Sequence, residues 1–153
     1  MPAFFCDSSA VVKRYLNETG SAWLEALTDP SSGNRIYVAR IAFVEVISAI
    51  SRREKGLQLS ATDADSARLA FEQDFLNIFR KVELSEDLLN EAAKLAKKHA
   101  LRGYDAVQLA AVLQTERERS ALGLSSLILL SADTELNNVA IAEGLTVDDP
   151  NNH

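Results

Sequence analysis

Short apolar runs alternate with longer stretches of helical period along the whole chain, and this alternation restricts the fold more than any other feature. The runs are Ala3–Cys6, Ile36–Val38 and Leu127–Leu130, with Lys81–Leu84 and Thr146–Val147 as further strand candidates. Between them, Ser8–Asn17, Ser21–Leu27, Ile41–Arg53, 62–78, Glu86–His99, Asp105–Glu118 and Asp133–Glu143 read as helices by their apolar spacing. The turn formers Asp29-Pro30-Ser31-Ser32-Gly33-Asn34 separate the second helix from the next strand, and Ser60 or Thr62 can cap the helix that follows. Strands and helices in this order place the strands side by side in parallel, with helices on both faces. The expected architecture is α/β, a three-layer α/β/α sandwich around a mainly parallel sheet, with residues 1–153 as one domain.

Composition narrows the chemistry. Hydrophobic residues make up 47% of the 153, enough for a sizeable core. A single cysteine, Cys6, excludes an internal disulfide and a thiolate metal cage, and Cys6 itself reads as core. With only His99 and His153, there is little for a histidine-rich metal site or a serine-protease triad, and His99 reads as a helix C-terminal residue favoured by the dipole. The net charge of −6 argues against an indiscriminate nucleic-acid coat protein. No apolar run approaches the ~20 residues of a membrane span, and the first residues lack the basic start and long apolar core of a signal peptide. The expectation is a soluble, cytoplasmic protein.

Four acids stand out by position. Asp7 and Asp133 each follow a strand and begin a helix, at the strand ends where open α/β sheets bind ligands. Either alone could simply cap its helix. As a pair they say more, because carboxylates gathered at one edge repel unless a cation sits among them. Glu45 lies inside the apolar stretch Ile41-Ala42-Phe43-Val44-Glu45-Val46-Ile47, and positions 41 and 49 offer it no basic partner. It should therefore meet a charge or a metal from elsewhere in the fold, or else lie on a wet face. Asp105 opens the most apolar helix of the chain, either as a first-turn acid or as a group aimed at the sheet edge. Four carboxylates without imidazole or thiolate make an all-oxygen site, suited to Mg²⁺ or Mn²⁺ rather than zinc. Two such ions can activate water and stabilise the leaving oxygen in phosphodiester cleavage.

The strings around these acids are Phe-Cys-Asp-Ser-Ser-Ala-Val-Val-Lys-Arg-Tyr at 5–15, Phe43-Val44-Glu45-Val46, Tyr-Asp-Ala-Val-Gln-Leu-Ala at 104–110 and Leu-Leu-Ser-Ala-Asp at 129–133. In this order and at these separations, over residues 3–148, they resemble the four acidic motifs of the PIN domain, especially VapC-type ribonuclease toxins of bacterial toxin–antitoxin pairs. The resemblance implies a Mg²⁺- or Mn²⁺-dependent endoribonuclease, frequent homodimerisation and a small antitoxin that blocks the site. It assigns Asp7, Glu45, Asp105 and Asp133 as metal-binding acids, and matches Ser131 to the small hydroxyl residue before the fourth.

A phosphoacceptor receiver domain wants paired acids after its first strand and a late lysine, and an aspartyl-phosphate hydrolase wants Asp-x-Asp, where this chain has Asp7-Ser8-Ser9. A PIN-like module that only binds RNA or protein would leave the four acids incidental. Gly-x-Gly-x-x-Gly and phosphate-loop signatures are absent. The basic runs Lys94, Lys97, Lys98, Arg102 and Arg52, Arg53, Lys55 read as solvated helix faces, with phosphate contact as the alternative. Arg40 could touch substrate or antitoxin, Trp23 reads as packing or an interface anchor, and Asp148-Asp149 as a solvated tail.

Overall fold

The structure, a computed structural model, describes residues 1–153 throughout. Five strands, β1 (Ala3–Cys6), β2 (Arg35–Ala39), β3 (Arg80–Val82), β4 (Ile128–Leu130) and β5 (Thr146–Asp148), form one sheet in the order β3-β2-β1-β4-β5. Every neighbouring pair is parallel, with Phe5 opposite Tyr37 on one side and Leu129 on the other. The helices are α1 (Ser8–Val11), α2 (Ser21–Thr28), α3 (Ala42–Lys55), α4 (Ala61–Asn77), α5 (Glu86–His99), α6 (Gly103–Ala121) and α7 (Thr134–Ala142).

Side chains alternate across the pleat, so each strand feeds two cores. Ala3, Phe5, Ala39 and Leu129 pack under α5, α6 and α7 through Leu88, Leu95, Leu109, Val112 and Leu136. Cys6, Ile36, Val38 and Leu130 pack on the other face against Val11, Leu24, Val46, Phe71 and Phe75 of α1 to α4. Both faces being covered explains why the strands read as continuous apolar runs rather than as alternating ones. The three-layer α/β/α architecture follows directly. No helix is long and apolar enough to cross a membrane.

Local details depart from the sequence reading at a few points. The helix expected over Ser8–Asn17 closes at Val11 and tightens into a 3₁₀ turn over Val12–Arg14. There Lys13 turns inward and is buried, donating from Nζ to the Thr19 carbonyl and Asn151 Oδ1 and pairing with Glu18. That capture competes with further α-helical winding. Ser60, not Thr62, caps α4, its Oγ accepting from the Asp63 amide. The helix expected from Asp105 starts two residues earlier, at Gly103. Asp148 and Asp149 are not a solvated tail: Asp148 ends β5, and Asp149 caps a 3₁₀ turn over Pro150–Asn152. Trp23 is a packing residue, stacked on His153 at 3.9 Å between ring centres. Cys6 is buried as expected, and burial pushes its thiol far above the usual range.

Candidate active site

In this strand order the chain leaves β1 toward β2 on one side and later returns to β4 on the other. The reversal opens a crevice at the carboxyl ends of β1 and β4, the place where open α/β sheets hold ligands. Asp7 follows β1 and Asp133 follows β4, so the two flank that crevice. Glu45 comes from the first turn of α3, and Asp105 from the first turn of α6. All four carboxylates line a single cavity of about 440 Å³.

Asp7 is the most constrained of the four. Only 4% exposed, it caps α1, with Oδ1 accepting from the Ala10 amide at 2.9 Å and from Ser9 Oγ at 2.7 Å. Its Oδ2 accepts from Ser131 Oγ at 2.6 Å. Ser131 is fully buried and also receives the Asp133 amide on its hydroxyl at 3.1 Å, while Asn137 Nδ2 donates to its carbonyl at 2.8 Å. Ser9 Oγ in turn accepts from the Ala132 amide at 2.9 Å. Two hydroxyls thus stitch the β1–α1 turn to the β4–α7 turn. Sequence reasoning identified Ser131 but passed over Ser9.

In three of the four acids, Asp7, Glu45 and Asp105, the surroundings disfavour the charged form. Burial raises the Asp7 carboxyl from 3.8 to about 6, against the lowering pull of Ser131, Ser9 and the Ala10 amide, and the charge of Glu45 adds to the rise. Asp105 also rises to about 6, through burial and then through the charges of Asp133 and Glu45, with Arg102 opposing. Glu45 is raised by burial against hydrogen bonds from Gln108 and Ser8. Asp133 caps α7, its Oδ1 accepting from the Leu136 amide at 3.0 Å. The carboxylates share the cavity without converging on one point: no three Asp, Glu, His or Cys side chains are grouped closely enough to hold an ion between them.

The partner expected for Glu45 was a charge or a metal; in this structure it is a neutral amide. Gln108 Nε2 donates to Glu45 Oε1 at 3.0 Å and to Ser8 Oγ at 3.0 Å, joining α3, α1 and α6. Gln108 is 2% exposed, and its Oε1 is buried without a hydrogen-bond partner. The signal for this residue was in the chain: position 108 is one helical turn from Asp105, on the same face of α6. Arg40 lies outside the site, paired with Glu83 at 2.6 Å, and His99 and Lys98 both bind Glu143, tying α5 to the end of α7.

A fold with acids from four separate segments around this crevice defines a class, and comparison with known proteins agrees. The PIN domain family model matches residues 4–142. The chain belongs to the PIN-domain family. Among curated relatives, Ribonuclease VapC45 and Ribonuclease VapC49 of two Mycobacterium tuberculosis strains are each 35% identical over 147 residues, covering 96% of this chain and 95% of theirs. Among solved structures, FitAcB from Neisseria gonorrhoeae superposes with a TM-score of 0.65 at 18% identity, over 96% of this chain and 97% of that one.

Proposed function

We propose that this protein is a divalent-metal-dependent endoribonuclease, the toxin of a toxin–antitoxin pair acting in the cytoplasm. The observation that carries the reading is the single cavity lined by Asp7, Glu45, Asp105 and Asp133. Relatives that share a third of its residues over nearly their full length are named as ribonucleases. The donor chemistry suits Mg²⁺ or Mn²⁺: every candidate ligand is an oxygen, and Gln108, whose Oε1 is buried without a hydrogen-bond donor, is among the residues that line the cavity. The proton affinities of Asp7 and Asp105 are raised first by burial and then in part by neighbouring carboxylates, a repulsion that a bound cation would relieve.

A divalent ion held by these acids would activate water and neutralise charge at the scissile phosphate. The chain's own part is to position. Asp7 presents its carboxylate in one orientation because Ser9, Ser131 and the Ala10 amide fix both oxygens. Gln108 holds Glu45 toward the same cavity, and the Leu136 amide holds Asp133. No histidine lines the cavity, so proton removal falls to the carboxylates and solvent. In the cell such a site needs masking, and a small antitoxin offering a cation to the acids would do so; FitAB and VapBC2 complexes are among the structural neighbours. A homodimer is part of the same reading.

The test is incubation of the purified chain with structured and unstructured RNAs in Mg²⁺, Mn²⁺ or EDTA. Cleavage with either ion and none in EDTA is expected. Cleavage insensitive to EDTA overturns the metal reading. RNA binding with no cleavage in either ion favours the non-catalytic module, the reading that the unconverged carboxylates also fit.

A further inference from the structure

The chain has ten arginines. Six are tied down by ion pairs or hydrogen bonds, Arg40 to Glu83 and Arg53 to Glu18 among them. The four without such a partner are Arg35, Arg52, Arg80 and Arg102. Arg35 and Arg80 open β2 and β3, at the sheet edge opposite the crevice. Arg52 and Arg102 line the carboxylate cavity itself.

That placement is unusual for unpaired arginines. A guanidinium beside an acidic cavity ordinarily closes onto a carboxylate. Arg102 is near enough to Asp105 to favour its charged form, yet makes no ion pair with it. Arg52 lies on the same stripe of α3 as Glu45, Ser48 and Ala49, all on the cavity wall, two helical turns or about 10 Å beyond Glu45. Between Arg102 and Asp105 stands Tyr104, which also lines the cavity, is 60% exposed and belongs to none of the ring pairs that bury other aromatics.

We propose that Arg52 and Arg102 hold the phosphates on either side of the scissile one and that Tyr104 stacks a base between them, so that the site takes an unpaired stretch of RNA. The inference rests on the nuclease reading above and adds the path of the strand. The physical reasons are distinct for each group. On a chain of charge −6, an RNA backbone is repelled overall, and only local cations can draw it in. The guanidinium fork matches phosphate oxygens in a way an ammonium does not. An exposed aromatic face gains stacking energy only from a base free of its own helix, since duplex bases already stack on one another.

The experiment is fluorescence anisotropy with a labelled single-stranded oligoribonucleotide and a duplex of the same composition. Ca²⁺ replaces Mg²⁺, and a gel confirms that the probes stay intact. Arg52→Ala and Arg102→Ala should each weaken single-strand binding and lower the slope of log K against log salt by about 0.7. Arg52→Lys and Arg102→Lys should keep the slope. Tyr104→Ala should weaken the single strand on the order of tenfold and leave the duplex unchanged, while Tyr104→Phe binds as wild type. All three side chains are exposed, so melting temperatures should not move. An unchanged slope in the double arginine variant, a wild type that prefers duplex, or equal losses on both probes for Tyr104→Ala overturns the proposal. The two readings separate cleanly. A wild type that shows these losses yet cleaves nothing in Mg²⁺ or Mn²⁺ keeps the strand path and removes the nuclease. A wild type that cleaves, with all three alanine variants binding and cleaving equally well, does the reverse.

Discussion

Asp7 illustrates how one residue serves folding and chemistry at once, and how the two conflict. Its carboxylate caps a helix and anchors the neighbouring turn, yet its charge is held in a buried place beside Glu45. Because the folded-state value of about 6 lies above the ordinary 3.8, the protonated form favours folding. That stabilisation is complete below about pH 4 and is lost as pH rises through 6. At pH 7 the metal-free protein carries a penalty on the order of 2–3 kcal/mol from this group. Asp7→Asn should therefore match wild type in stability near pH 4 and exceed it near pH 7, read as a gap in denaturant midpoint that opens across this window. The same variant should lose RNA cleavage, as should Glu45→Gln and Asp105→Asn, by on the order of 100-fold or more, with folding intact by circular dichroism and losses that do not add when combined. Asp29→Asn, in a surface turn, is the control that keeps activity. Full activity in both Asp7→Asn and Asp105→Asn would remove the site altogether. Ser131→Ala takes a buried donor from Asp7 and leaves the Asp133 amide unpaired, so it should cost about 1–3 kcal/mol and reduce cleavage through misorientation.

Among the elements, α7 separates a helix cap from a ligand. Asp133→Asn keeps an oxygen for the Leu136 amide and should leave stability within ~0.5 kcal/mol, whereas Asp133→Ala should cost about 1 kcal/mol. If Asp133→Asn also cleaves RNA normally while the other three acids are required, its role is the cap alone. Much at this level was legible in the chain. The strand at Ala3–Cys6, the run Leu127–Leu130 that contains β4 and the helix at Glu86–His99 announced themselves, because burial on both faces leaves apolar runs in strands and one buried face leaves apolar spacing in a helix. The early end of α1 was not legible, since it depends on Lys13 reaching Asn151, 138 residues away. The partner of Glu45 was hidden for the same reason: Gln108 lies 63 residues further on, and a neutral amide leaves no mark in a search for charges. Asp7, Asp105 and Asp133 could be picked out because each sits at a helix start, a place fixed locally, and Glu45 because it interrupts an apolar stretch.

Over the whole molecule, relief of the repulsion among the four carboxylates should appear as a thermal shift. Binding to the native site stabilises by mass action, about 2.7 kcal/mol at a hundred times the dissociation constant, so the melting temperature should climb with Mg²⁺ or Mn²⁺. Asp7→Asn should flatten that climb; a wild type indifferent to millimolar ion would sink the metal site. The sheet sets a second condition at this scale. Its two outer strands, β3 and β5, are only three residues long, and β3 carries Arg80 and Lys81. Such short borders, the β3 one also cationic, offer a poor template for another chain to zip onto by backbone pairing. Copies or partners are thereby steered away from the lateral margins and onto the helical layers, where recognition must be read out by side chains. For the antitoxin-restrained nuclease proposed above, a border closed to indiscriminate pairing would be a safeguard built into the length of two strands.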